Sequence, residues 1–138
     1  MMVNLSRMRT LIAYEQRLRF DRLKKLAKAT KITTTITGMP RGSGTGNKIQ
    51  DGAIELAEIE DAYREVLTEL RSMREELEQL LPALDNPDDI GIMRLRYIYG
   101  HSPEEIPDMV HLSPRAMFYH LAGAERKLTM MFPDKVCS

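Results

Sequence analysis

Between Ile49 and Leu80 the apolar positions fall into a strict seven-residue rhythm: Ile49, Leu56, Tyr63, Leu70 and Leu77 recur at one position, and Ile59, Val66, Met73 and Leu80 at the complementary one. Four such heptads predict a coiled-coil helix, and Gly52 at the first complementary position predicts a frayed start. From Asn4 to Thr30 nothing breaks a helix either, and Leu5, Met8, Ile12, Leu18, Leu23 and Leu26 form an apolar stripe of irregular period. The tract between these helices, Ile32 to Lys48, gathers threonines, Gly38, Pro40, Gly42, Gly44 and Gly46, so it reads as a loop whose start could be a last helical turn or a short extended piece. Pro82 and then Asn86-Pro87 stop the acidic helix and leave a short hinge.

A second kind of pattern occupies the C-terminal third. Ser102-Pro103 and Ser113-Pro114 write two helix starts eleven residues apart, each with a serine hydroxyl to accept an orphan N–H and a proline at the first helical position. The first helix, capped by Ser102, is expected to end near His111. Pro107, five residues past that cap, removes an intrahelical bond, so this helix is kinked or begins late. The second helix, capped by Ser113, places Met117, His120 or Leu121, Ala124 and Leu128 on one face and Arg115, Tyr119, Ala122 and Arg126 on the other. Gly123 loosens it by about 1 kcal/mol relative to alanine. Leu112 is expected to act as a hydrophobic staple across the turn. A short helix followed by a longer one with small, basic and aromatic outward side chains is the geometry that enters a DNA major groove.

Net charge is zero, but residues 1–48 carry +9, residues 49–90 carry −10 and residues 91–138 carry +1. A basic helix before an acidic one invites the two to lie side by side in an antiparallel hairpin. The irregular N-terminal seam would leave part of the acidic helix's stripe uncovered, which points to a homodimer through Leu56, Ile59, Tyr63, Val66, Leu70, Met73, Leu77 and Leu80. The expected architecture is all-α, with a helical hairpin over residues 1–82, including the loop 32–48, and a helix-turn-helix domain over residues 83–138.

Composition excludes several classes of chemistry. The single cysteine, Cys137, permits neither a disulfide framework nor a thiolate metal cluster. His101, His111 and His120 lack the spacing of a zinc site, so no metal and no cofactor is expected. The glycines of residues 38–46 lack the Gly-Lys-Ser/Thr order of a phosphate loop, and a linker touching DNA through Arg41 and Lys48 fits better. The glutamates of residues 55–78 read as the solvated face of the coiled coil rather than acid–base pairs. No catalytic constellation is visible, and an enzyme is not expected. The ten methionines suggest adaptable packing, with Met130, Met131 and Phe132 covering a core or meeting a partner. The N-terminal MMVNLSRMRT carries arginines rather than an apolar run, and no eighteen apolar residues follow one another. Neither secretion nor membrane insertion is expected.

The tract IMRLRYIYGHSPEEIPDMVHLSPRAMFYHLAGAERKL resembles the C-terminal, region-four promoter-reading domain of sigma-70-type factors. With the ITTTITGMPRGSGTG tract upstream, the chain resembles the ArpU and RinA-like late-gene regulators of prophages in Gram-positive bacteria. The resemblance implies double-stranded DNA as a partner, RNA polymerase as a plausible second, and the cytoplasm of the bacterial host as the location. It places Met117 in the buried aliphatic position and Arg115, Ala116, Phe118, Tyr119 and Ala122 toward DNA, with Arg126 and Lys127 as the basic pair at the helix end. Pro107 and His120 depart from the pattern, at positions where alanine and an aliphatic residue are usual. A phage terminase small subunit, which also joins a helix-turn-helix to a coiled coil, and a helical adaptor that does not bind DNA are the alternatives.

Overall fold

The computed structural model describes the backbone of residues 2–36 and 44–138, and the side chains of residues 2–28 and 55–138. The chain is mostly helical, an all-α protein with very little strand. In order come β1 (Val3–Asn4), α1 (Leu5–Ile36), α2 (Gly44–Leu80), a 3-10 turn (Leu81–Ala83), α3 (Pro87–Met93), a π-helical turn (Arg94–Ile98), α4 (Ile106–Val110), α5 (Pro114–Met131) and β2 (Val136–Cys137).

Helix α1 takes the last-turn reading of the loop's start, while α2 begins earlier than the glycines suggest. Helix α1 continues to Ile36 and α2 begins at Gly44, so residues 32–36 and 44–48 of the expected loop are helical. Gly52 lies inside α2, eight residues past its start, rather than at a frayed end. A glycine costs a helix interior only about 1 kcal/mol, which a helix this long can absorb. Residues 37–43, with Pro40 and Arg41, lie outside the described residues, as does the side chain of Lys48.

The chain divides into two compact units. One unit joins residues 1–12 to residues 69–138, and the other holds residues 13–68. In the first unit Leu5, Met8 and Ile12 of α1 and Leu70, Met73 and Leu77 of α2 are buried, as are Ile92, Met93, Tyr97, Ile106, Met117 and Leu128 of the C-terminal elements. Each such side chain contributes about 1.5–3 kcal/mol when fully removed from water. Parallel pairing of β1 with β2, Val3 against Val136 and Asn4 against Cys137, adds a contact absent from the expected architecture. Val3 N–H donates to Lys135 O at 2.7 Å, and Val3 and Val136 are both buried.

In the second unit the partners on α1 and α2 run in opposite order. Tyr63 Oη donates to Glu15 Oε1 at 3.0 Å, Arg22 Nε donates to Glu60 at 3.3 Å, and Lys25 Nζ donates to Glu55. Glu15 is buried and takes Arg19 as a further partner. The solvent-facing Arg22–Glu60 and Lys25–Glu55 pairs stabilise by about 0–1 kcal/mol each, so they set alignment more than stability. Leu56, Ile59 and Tyr63 are half-buried, while Val66, Leu70, Met73, Leu77 and Leu80 are buried. The later part of the expected dimer stripe is therefore already covered within one chain. Phe20 and Leu23 of α1, at 65% and 61% exposure, are instead open.

Pro82 falls within the 3-10 turn, and Asn86 then restarts the chain as a helix. Its side chain accepts from Asp88 N–H at 2.9 Å, Pro87 takes the first turn, and Asp88 and Asp89 bring negative charge to the positive helix end. This Asn-Pro-Asp-Asp run is a complete helix-start signal, and it begins an element where only a hinge is expected. Tyr99 N–H bonds to Arg94 O at 2.9 Å, closing the π-helical turn with Tyr97 fully buried inside it. Gly100 leaves the turn at φ +76°, where a Cβ would lie 3.4 Å from Arg74 Nη2.

Candidate nucleic-acid interface

Helix α4 begins late, at Ile106, with Pro107 in its first turn and Glu105 as the N-cap residue. Ser102 is thus not the cap of this helix, as its serine-proline pair suggested. Its carbonyl accepts Glu105 N–H at 3.1 Å and opens a non-helical turn. The physical reason is Pro107, which cannot supply the backbone donor an earlier start would need. Pro107 is itself buried, and its carbonyl accepts both His111 N–H and Leu112 N–H. His111 closes the helix at φ 58°, ψ 41°, the left-handed conformation that turns the chain after a helix end. Leu112, the expected staple, is half-buried.

Three residues after α4, Ser113 starts α5: its Oγ accepts Ala116 N–H at 3.2 Å, with Pro114 in the first turn. The helix runs unbroken through Gly123 to Met131. Met117, Leu121, Ala124 and Leu128 are buried along it, so Leu121 rather than His120 takes the inward position. On the opposite side Arg115, Tyr119, Ala122 and Arg126 are all exposed, Tyr119 at 80%. Phe118 and Lys127 are also exposed, while Ala116 is half-buried. Met130 and Met131 are exposed past the last buried turn, and Phe132 is half-buried.

Two polar clusters hold α5, and the sequence reading found neither. In the first, Tyr97 Oη donates to Glu125 Oε1 at 2.6 Å and accepts from Arg9 Nη1 at 2.9 Å, while Arg74 Nε donates to the Tyr97 carbonyl at 2.7 Å. Burial, together with the carboxylate of Glu125, pushes the Tyr97 phenol well above its ordinary range, against the opposing pull of Arg9. In the second, His120 Nδ1 donates to Asp89 Oδ1 at 2.8 Å, and Lys127 Nζ stands 3.8 Å from Asp89 Oδ2. Asp89 is only 4% exposed. Every buried side-chain nitrogen and oxygen among the described residues has a hydrogen-bond partner.

Among the described residues, no group of three or more His, Cys, Asp or Glu side chains could hold a metal ion. No helix among them is long and apolar enough to cross a membrane. No protein-family model, curated protein or solved structure matches this chain.

Proposed function

We propose that this protein is a sequence-specific DNA-binding transcription regulator, in which α4, the turn at His111–Ser113 and α5 act as a helix-turn-helix. The observation that carries this reading is the two-sidedness of α5. One row is sealed against α3 and α4, and the opposite row offers two arginines, a tyrosine and a small alanine to solvent. In a major groove, Arg115 and Tyr119 stand nearest the base edges, and Ala116, Phe118 and Ala122 line the approach. Arg126 and Lys127 meet phosphates, which position the domain without reading sequence.

The resemblance to region four of sigma-70-type factors and to ArpU and RinA-like prophage regulators extends the proposal to activation of phage late genes in the bacterial cytoplasm, with RNA polymerase as a second partner. The reversed order of partners along α1 and α2 supports an antiparallel hairpin. A homodimer would supply the affinity that residues 91–138, at net +1, lack alone. The exposed Phe20 and Leu23 make α1 a better place for that contact than the covered end of the α2 stripe. No catalytic role is part of this reading.

Selection of bound sequences from a randomised duplex library tests the proposal. The wild-type chain should enrich one sequence. Arg115→Ala combined with Tyr119→Ala should lose that selectivity while circular dichroism stays helical. Enrichment of the same sequence by the double variant would reject the assigned face, and the absence of any enriched sequence would reject the function.

A further inference from the structure

Asp89 is an expensive residue to bury, because a carboxylate taken out of water needs partners for both oxygens. Those partners both come from α5, His120 at 2.8 Å and Lys127 at 3.8 Å. With Nδ1 committed to Asp89, the imidazole of His120 has one polar atom left, Nε2. The ring lines a hollow of about 240 Å³ together with Asp89, Tyr119, Ala122, Arg126 and Lys127. Tyr119, Ala122 and Arg126 belong to the exposed row of α5, so the hollow opens on the side proposed to meet DNA. Two full cations and an imidazole surround it, against one carboxylate whose oxygens are already engaged. That balance favours an anion.

We propose that this hollow seats a phosphate group of the duplex backbone, with Arg126, Lys127 and Nε2–H of His120 as donors and Asp89 as the positioning residue. The inference rests on the DNA reading above and adds His120 and Asp89 to it. Because Asp89 holds the Nδ1 proton, His120 presents an N–H at Nε2 only as the doubly protonated ring. A seated phosphate therefore favours the doubly protonated ring. The charged and titratable groups that line the hollow beside His120 are Asp89 from α3 and Tyr119, Arg126 and Lys127 from α5.

The test is duplex affinity of the full chain, by fluorescence anisotropy at fixed salt. Wild type and His120→Asn are compared at about pH 6 and about pH 8. Asparagine keeps an amide N–H for Asp89 near the Nδ1 position and removes Nε2. Going to the lower pH should strengthen wild-type binding about tenfold more than that of His120→Asn, the scale of one added charge-assisted hydrogen bond. Equal responses would overturn the seat and leave selective binding through Arg115 and Tyr119 standing, whereas no duplex binding by wild type would overturn both. Imidazole NMR spectra of the wild-type chain provide a readout that does not depend on folding of the variant. His120 should respond when duplex is added. Saturation by inorganic phosphate, with His120 unmoved by duplex, would move the seat to a free phosphate and overturn the backbone assignment.

Discussion

The phenol of Tyr97 donates to Glu125 at 2.6 Å, tying the π-helical turn to the outward-facing helix α5 across 28 residues of sequence. Arg9 reaches the same oxygen from the first turns of α1. The orientation of α5 is thereby coupled to the N-terminal segment through one buried hydroxyl.

Tyr97→Phe should cost about 1–3 kcal/mol, because Glu125 and Arg9 each lose a partner in a partly buried place. The same residue gives alkaline pH a specific effect. The folded phenol holds its proton more tightly than the unfolded one, so its stabilising contribution is complete below the ordinary tyrosine value of about 10. It is lost as pH rises from there toward the elevated folded value. Chemical denaturation at stepped alkaline pH should show wild-type stability falling more steeply than that of Tyr97→Phe.

The two serine-proline pairs should behave differently. Ser113→Ala removes the side-chain cap of α5 and should lower stability by about 1 kcal/mol. Ser102→Ala removes no helix cap and should stay within about 0.5 kcal/mol of wild type. Thermal melts of both variants check the contrast, and equal losses would contradict the late start of α4.

Two glycines predict opposite signs. At Gly123 a Cβ would meet nothing within 4 Å, so Gly123→Ala should stabilise α5 by about 1 kcal/mol. At Gly100 the positive φ makes alanine strained. Gly100→Ala should destabilise by about 1–2 kcal/mol. Urea midpoints measured side by side give both values.

Replacing Arg126 by alanine should weaken binding to all duplexes alike and reduce the slope of log affinity against log salt by about one. Titrations at several salt concentrations, with the selected sequence and a scrambled one, measure this. A loss confined to the selected sequence would assign Arg126 to a base instead.

Local periodicity made much of this legible. The rhythm of Leu56 to Leu80 marks α2, and the spacing of Met117, Ala124 and Leu128 separates the buried row of α5 from the exposed one containing Arg115 and Tyr119, leaving only His120 or Leu121 open for the structure to decide. What depended on distant partners was hidden. Asp89 and His120 meet across 31 residues and Arg9 and Tyr97 across 88, and nothing in either neighbourhood names the other. Residues 87–98 are hidden for a different reason: Asn86-Pro87 stops one helix and starts the next with the same two residues.

The short ladder between Val3 and Val136 makes release of the two chain ends a single event. Peeling back Lys135 to Cys137 takes away the acceptor for Val3 N–H and uncovers its side chain, next to the buried Leu5 and Met8 of the first turns of α1. Amide exchange at Val3 should therefore keep pace with exchange at Cys137. A tether attached to either terminus loads both.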